Sequence, residues 1–443
     1  MDSRTVANYF VAVGIYRPTT ACSLHCLVRP IDSIMATIIG LASLSLSLFS
    51  SVVASTASPR SIGSDLSIFT HNDLYGNATT RRAATIAIRT PYQYSTATSR
   101  CAALGTTLWN PDSYGEDLDF LRYLDSGKDT EEVGVYWIKG NATHHCRAIT
   151  TGGEYETPQC STELPALCSN TATDTIRQVL ITTNNATITG HRDKHAFRFL
   201  GIKYASIPAR FEHSTYFPPA SNTTALQYGP TCIQSGCTAC SEDCLTLNIW
   251  TPHLPNNGKS MSSKKKAVMV WIHGGGFASG TGSDPTFDGS ALASRGDVVA
   301  VTINYRLSTL GFLALENTML TGNYGLQDQN TALAWLRAHV EDFGGDKDRI
   351  TIFGQSAGSA SVRALLASPL SQDKISGAIM MSTPQGMGYA GTFAQYLTIA
   401  EATNRSHAIV NETGCAAEIE DLAACLRAVD ARSLVGSGRT LAT

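Results

Sequence analysis

Ile350-Thr351-Ile352-Phe353-Gly354-Gln355-Ser356-Ala357-Gly358 runs from a short apolar, β-rich stretch into a serine set between small residues. The helix-like stretch Ser359 to Leu366 follows. A strand, a sharp turn and a helix lift a hydroxyl above the edge of a sheet. Glycine flanks such a serine because the turn is strained and leaves no room for a nearby Cβ. About eighty residues earlier, His273-Gly274-Gly275-Gly276-Phe277 follows another buried-strand run, Ala267 to Ile272. A glycine run of this kind turns backbone N–H groups toward the oxygen of an attacked carbonyl, where negative charge develops. A lone G-x-S-x-G recurs by chance, and a glycine run is ordinarily a flexible turn. Together, each behind an apolar run and in this order, they point to acyl transfer through a covalent serine intermediate.

Further segments extend the pattern. They are Phe199 to Ile202, Ser241 to Ile249, Asn304-Tyr305-Arg306, Leu310 to Leu313, Gly325 to Gln329 and Phe343 to Asp346. With the two motifs, these ordered segments resemble the type-B carboxylesterase and lipase family, the cholinesterase-like branch of the α/β-hydrolases. The resemblance implies an α/β fold with a mostly parallel central sheet and helices on both faces. It implies Ser356 as nucleophile, and the N–H groups of Gly275, Gly276 and Ala357 as the oxyanion hole. Gln355 departs from the glutamate more usual before this serine, which removes a charge near the site.

Strands are expected at Leu245 to Trp250, Ala267 to Ile272, Val298 to Ile303, Ile350 to Phe353 and Ala378 to Met381. Val179 to Thr182 and Thr187 to Thr189 read as an edge hairpin, and Thr331 to Val340 as a helix. Nearly continuous apolar runs suit parallel strands buried on both faces.

In this fold the triad follows the order serine, then acid, then histidine. The only histidine after Ser356 is His407, in the polar stretch Asn404-Arg405-Ser406-His407, which reads as an exposed loop. Asp373 and Glu401 are the acids between them, and neither matches the family's position. An unassisted serine hydroxyl is a weak nucleophile that needs a neighbouring base. The chain is therefore expected to be the front part of such an enzyme, C-terminally truncated, with inactive or impaired chemistry.

A net charge of −3 offers no argument for nucleic acid or an anionic membrane. Lys264-Lys265-Lys266 reads as a solvated loop before a strand. Residues 1–57 read as a leader: Ile38 to Phe49 is apolar but too short to span a bilayer, and small residues follow at Ala54 to Ser58. Met35 is an alternative start, and a buried helix the alternative to a signal peptide. Six Asn-x-Ser/Thr sequons, at Asn77, Asn141, Asn185, Asn222, Asn404 and Asn411, are candidate glycosylation sites. Twelve cysteines include Cys22 and Cys26 in the leader, leaving an even ten beyond it, as a secreted disulfide framework requires. By family resemblance Cys232 pairs with Cys244 and Cys415 with Cys425. Cys237 and Cys240 then remain as a possible tight bridge, or as a redox or zinc motif that lacks a second Cys-x-x-Cys.

Residues 66–170 match no part of that family. Cys101 lies in a helix-like stretch, Ser95 to Leu108, followed by Leu118 to Leu124, Tyr136-Trp137-Ile138-Lys139-Gly140 and Glu163 to Cys168. This order resembles a C-type-lectin-like domain, which implies the pairs Cys101–Cys168 and Cys146–Cys160. A disulfide-knit cap without that relationship is the alternative. Glu154 and Glu156 are too few carboxylates for a calcium site, so no metal and no cofactor is expected. Ser169 to Asp174 reads as the linker to the α/β domain, residues 175–443.

The expected function is a secreted carboxylic ester hydrolase of esterase or lipase type, acting on a small-molecule or lipid ester. A glycan or protein ligand of the lectin-like module is possible, and the alternative is a non-catalytic binding or adhesion protein.

Overall fold

The computed structural model describes residues 56–70, 84–111, 121–122, 134–171, 176–256, 265–384, 397–415 and 422–437. The expected leader as far as residue 55, Asn77 and most of the stretch Leu118–Leu124 lie outside the described residues. Among the described residues no helix is long and apolar enough to cross a membrane.

The N-terminal strands are β1 (Leu66–Phe69), β2 (Ala84–Tyr92), β3 (Val135–Ile138), β4 (Arg147–Thr150), β5 (Tyr155–Glu156) and β6 (Leu164–Asn170), with helix α1 (Tyr94–Ala103) between β2 and β3. Their pairing is antiparallel except for β3 beside β6. Helix α1 buries Tyr94, Ala97 and Cys101. A disulfide joins Cys101 to Cys168 of β6, and a second joins Cys146 to Cys160. The core centres on Trp137, which meets Tyr94 edge to face at 5.2 Å and donates from its indole N–H to the Tyr92 carbonyl at 2.7 Å. The helix ends at Ala103, short of the expected Leu108. Gly105 turns the chain at φ 69°, and Leu108 then bridges to Cys168 as extended backbone.

The larger sheet begins with β7 (Gln178–Thr183), β8 (Ala186–Arg192), β9 (Phe197–Lys203) and β10 (Asn222–Thr224). Asn184 and Asn185, both at positive φ, make the two-residue turn of the expected hairpin. It continues with β11 (Thr246–Thr251), then, after the short β12 (His253–Leu254), β13 (Lys266–Ile272), β14 (Val299–Ile303), β15 (Gly345–Gln355) and β16 (Gly377–Met381). The order is β10-β8-β9-β11-β14-β13-β15-β16, with β7 beside β8. The block β14-β13-β15-β16 is parallel, as is the edge pair β10-β8; β11 runs antiparallel to both its neighbours, so the sheet is mixed rather than mostly parallel. Strands β11 and β14 are buried throughout, as their apolar runs require.

Helix α2 (Tyr324–His339) starts seven residues before the expected Thr331. Helix α3 (Ala357–Ala367) follows β15, and α4 (Ile399–Glu412), α5 (Leu422–Ala428) and α6 (Ala431–Ser437) lie beyond β16. Ile409, Val410, Leu426 and Leu434 from these last helices bury against Phe211, Leu310 and Leu313. Cys415 is bonded to Cys425 within this cluster.

The two sheets are stitched together. After Pro252 the chain leaves the larger sheet, and β12 pairs with β1, Leu254 opposite Leu66 and His253 opposite Ser67. The amide of Ile68 donates to the Pro252 carbonyl at 2.8 Å. Ser169 and Asn170 belong to β6 rather than to the linker.

Candidate active site

Strand β15 lies parallel to β13 with Gly354 opposite Ile272, so the serine turn and the glycine loop leave the sheet side by side. Ser356 has φ 56° and ψ −121°, a conformation costly for a residue with a side chain. Such strain persists only where the surroundings hold it. Here the Ser356 amide donates to the Met381 carbonyl, and its own carbonyl accepts from Ala360 in the first turn of α3, both at 3.0 Å. The flanking glycines are required by contact. A Cβ on Gly354 would lie 2.5 Å from the Gly358 carbonyl carbon, and one on Gly358 would lie 2.0 Å from the Ile272 oxygen. The Ser356 side chain is half-buried and Gln355 is exposed.

The glycine loop is wound by three successive positive φ angles, at Gly275 (109°), Gly276 (62°) and Phe277 (57°). The Gly275 carbonyl accepts from the amides of Ala278 and Ser279, each at 3.0 Å, which turns it into its own loop. A Cβ on Gly274 would lie 3.3 Å from the Ser356 Cβ, so the two motifs pack with little room for a side chain between them. Ala357, the residue after the serine, is buried at the first turn of α3.

His273 opens the loop but is not placed as a base. It is buried, stacks on Tyr305 with ring centroids 4.3 Å apart, and has Nδ1 2.9 Å from the Gly274 carbonyl. Burial pushes its pKa down to about 4, so the ring is neutral and serves as a wall. The Tyr305 hydroxyl donates to the His273 carbonyl at 2.8 Å.

Several segments recognised only as sequence patterns prove to be braces. The Asn304 side-chain oxygen accepts from the Gly282 amide at 2.8 Å and the Thr281 hydroxyl at 3.0 Å. Asn248 accepts from the Gly201 amide and donates to the Gly282 carbonyl. Arg306 grips Asp328 through two side-chain hydrogen bonds of 2.8 Å, both groups buried. Nothing in local periodicity marks these partners, which come from different strands and loops.

The residues after the serine behave differently from the sequence reading. His407 stands on helix α4, not in a loop, with its side chain exposed. The helix forms because Thr398 and Glu401 make a capping box and because Ser406, Ile409 and Val410 supply a buried face. Glu401 is engaged in that cap, accepting from the Thr398 amide at 2.8 Å. Asp373 is exposed beside Lys374. None of the three is hydrogen-bonded to Ser356. Beside the glycine loop, the disulfide Cys232–Cys244 closes a short loop that also contains the bridge Cys237–Cys240.

Comparison with known proteins agrees with this architecture. Over 201 residues the chain is 43% identical to "Cholinesterase 1" of Branchiostoma lanceolatum, covering 45% of this chain and 53% of that protein. It is 38% identical over 244 residues to "Para-nitrobenzyl esterase" of Bacillus subtilis (strain 168), covering 50% of this chain and 48% of that protein. It is likewise 38% identical over 248 residues to "Bile salt-activated lipase" of Bos taurus, covering 53% and 40%. The chain thus spans about half the length of the relatives it matches. A solved "PNB ESTERASE" superposes with TM-score 0.50 at 36% identity, over 59% of this chain and 53% of that one. The mixed sheet, the serine turn and the glycine loop are those of an α/β-hydrolase fold. The carboxylesterase family model matches residues 177–442, well over half of the 443, and this chain belongs to the carboxylesterase family.

Proposed function

We propose that this chain carries the nucleophile-bearing part of a secreted carboxylic ester hydrolase, acting on a small-molecule or lipid ester through an acyl-enzyme at Ser356. The observation that carries the reading is the close packing of the two motifs, the strained serine held against the glycine loop. In this mechanism the Ser356 Oγ attacks the ester carbonyl carbon and gives its proton to a base. The carbonyl oxygen takes the negative charge, facing the N–H groups of Gly275, Gly276 and Ala357. Collapse expels the alcohol, and water releases the acid from the serine.

The base belongs to the same proposal. Glu401 is held in its helix cap, Asp373 lies beside Lys374 and His407 is exposed on its helix, so this reading expects low turnover from the 443-residue chain by itself. That observation also favours the second reading, a non-catalytic binding protein. Residues 66–170 would then act as a lectin-like module for a glycan or protein ligand. A helix on a mainly antiparallel sheet, with bridges Cys101–Cys168 and Cys146–Cys160, supports that reading of the segment. Secretion is supported by the apolar leader, the disulfides and the exposure of Asn141, Asn185, Asn222, Asn404 and Asn411 as glycosylation sites.

A fluorophosphonate probe followed by peptide mapping separates the readings, because labelling needs an activated serine but not completed turnover. The 443-residue chain is expected to label weakly, and a longer form supplying an acid and a histidine to label at Ser356. Absence of label in both forms leaves the binding reading. Strong label in the 443-residue chain, lost in His407→Ala, would overturn the statement about the base.

A further inference from the structure

Gln234 lies two residues after Cys232 in the loop closed by Cys232–Cys244. Its side-chain amide meets the backbone of Gly280 in both directions. Nε2 donates to the Gly280 carbonyl at 2.9 Å, and the Gly280 amide donates to Oε1 at 2.9 Å. A further bond from Nε2 to the Cys232 carbonyl, at 3.2 Å, fixes the amide plane against its own loop.

Gly280 is the floor of the glycine loop. It has φ 111°, and a Cβ there would lie 2.4 Å from His273 Nδ1 and 2.6 Å from the Gly274 carbonyl. Its neighbour Ser279 packs as tightly, its carbonyl 2.1 Å from where a Gly275 Cβ would stand. A shift at residues 279–280 is therefore transmitted to Gly274 and Gly275, and Gly274 packs beside Ser356 with little room for a side chain between them. Asn304 already holds the following residues, Thr281 and Gly282. The cysteine loop does not need Gln234 for its own closure, since it has the disulfide and the Arg210–Glu242 ion pair. What Gln234 adds is the link to Gly280.

We propose that Gln234 is a positioning residue, clamping Gly280 so that the N–H groups of Gly275 and Gly276 face the developing oxyanion. The inference rests on the ester-hydrolase reading of Ser356 and the glycine loop. Displacement of catalytic groups by about 1 Å can cost on the order of 10²-fold in rate, so a lost clamp is measurable.

The test uses the 443-residue chain as Ser356→Cys, whose thiolate forms near pH 8.5 and attacks without a histidine. With p-nitrophenyl acetate at alkaline pH, the thiolate sulfur bonds to the carbonyl carbon, the oxyanion collapses, and p-nitrophenolate leaves behind a thioester. The burst above the Ser356→Ala background gives the acylation rate and the half-saturating concentration separately. In this background Gln234→Met, which keeps the shape and loses both bonds, should acylate at least about tenfold more slowly with unchanged half-saturation. Gln234→Glu, which still accepts from the Gly280 amide, should recover part of the rate. The thiolate absorbance titration should be the same in all variants. Equal acylation by Gln234→Met and its parent would overturn the clamp. Should Ser356→Cys acylate no faster than the same chain unfolded in urea, the hydrolase reading itself fails. Deuterium exchange over residues 274–280 then decides the clamp: about tenfold faster exchange in Gln234→Met supports it, and unchanged exchange overturns it.

Discussion

The backbone amide of Ser356 donates to the carbonyl of Met381 at 3.0 Å, so the candidate nucleophile hangs from the outermost strand of the larger sheet. That strand, β16, pairs with β15 on one side and with no other strand among the described residues. Ile379, Met380 and Met381 are 44%, 48% and 37% exposed, on alternating faces. Parallel strands are ordinarily covered on both faces, and a bare apolar edge invites association.

The 443-residue chain should therefore bind a hydrophobic dye and associate at micromolar concentration. Ile379→Lys should lower both without changing the far-ultraviolet circular dichroism. Sedimentation velocity showing equal association in the two proteins would contradict this account of the edge.

The Arg306–Asp328 pair should weigh far more than the surface pairs. Removing one member of a buried ion pair leaves an uncompensated charge and costs roughly 3–5 kcal/mol. Asp328→Ala should lose that much in urea unfolding, because the buried Arg306 charge then loses its counterion and the partners of Nε and Nη2, keeping only the Nη1 bond to the Glu212 carbonyl. Glu341→Ala removes the part-exposed partner of the exposed Lys265 and should cost under about 1 kcal/mol.

Disulfide deletions should rank by loop length. Cys101–Cys168 closes a separation of 67 residues and is worth about 4 kcal/mol on the chain-entropy account. Cys237–Cys240 closes a separation of 3, which puts it below about 2 kcal/mol. Paired Cys→Ser variants compared by urea unfolding would show the order, and peptide mapping without reduction should find no free thiol at Cys101, Cys168, Cys146, Cys160, Cys415 or Cys425.

Acid should destabilise the fold through buried histidine. His273 is held neutral by burial down to about pH 4, whereas the unfolded chain takes up the proton near pH 6.5. Below pH 6.5 the unfolded state binds more protons, so stability is full above that pH and falls as the pH drops toward 4. The loss amounts to roughly 3 kcal/mol for this one group. Burial lowers His253 as well, adding in the same direction. Thermal unfolding from pH 7 to pH 4 should show the decline, and His273→Gln should flatten it.

In a longer form that supplies the acid and histidine, Ser356→Ala should abolish ester hydrolysis, since no other group can form the acyl-enzyme. Gly275→Val should cost on the order of 10²–10³ in turnover, the usual effect of losing an oxyanion donor. The damage has a visible cause, as its Cβ would meet the Ser279 carbonyl at 2.1 Å. Turnover by Ser356→Ala at the parental rate would remove this serine from the mechanism.

Local chemistry alone marked the apolar runs of β13, β14 and β15, the hairpin at Asn184–Asn185, and the serine and glycine turns. Each is written in neighbouring residues, where periodicity and the demands of positive φ act over a few positions. Tertiary structure alone decided what those turns rest upon. Gln234 reaches Gly280 and Asn304 reaches Thr281 and Gly282 across long sequence separations, and β12 leaves one sheet to finish another. It also gave the helix of His407, capped locally by Thr398 and Glu401, its buried face, because Ile409 and Val410 are received only once Leu310 and Leu313 are in place. Contacts between distant residues carry no local period, so their partners emerge only when the chain is folded.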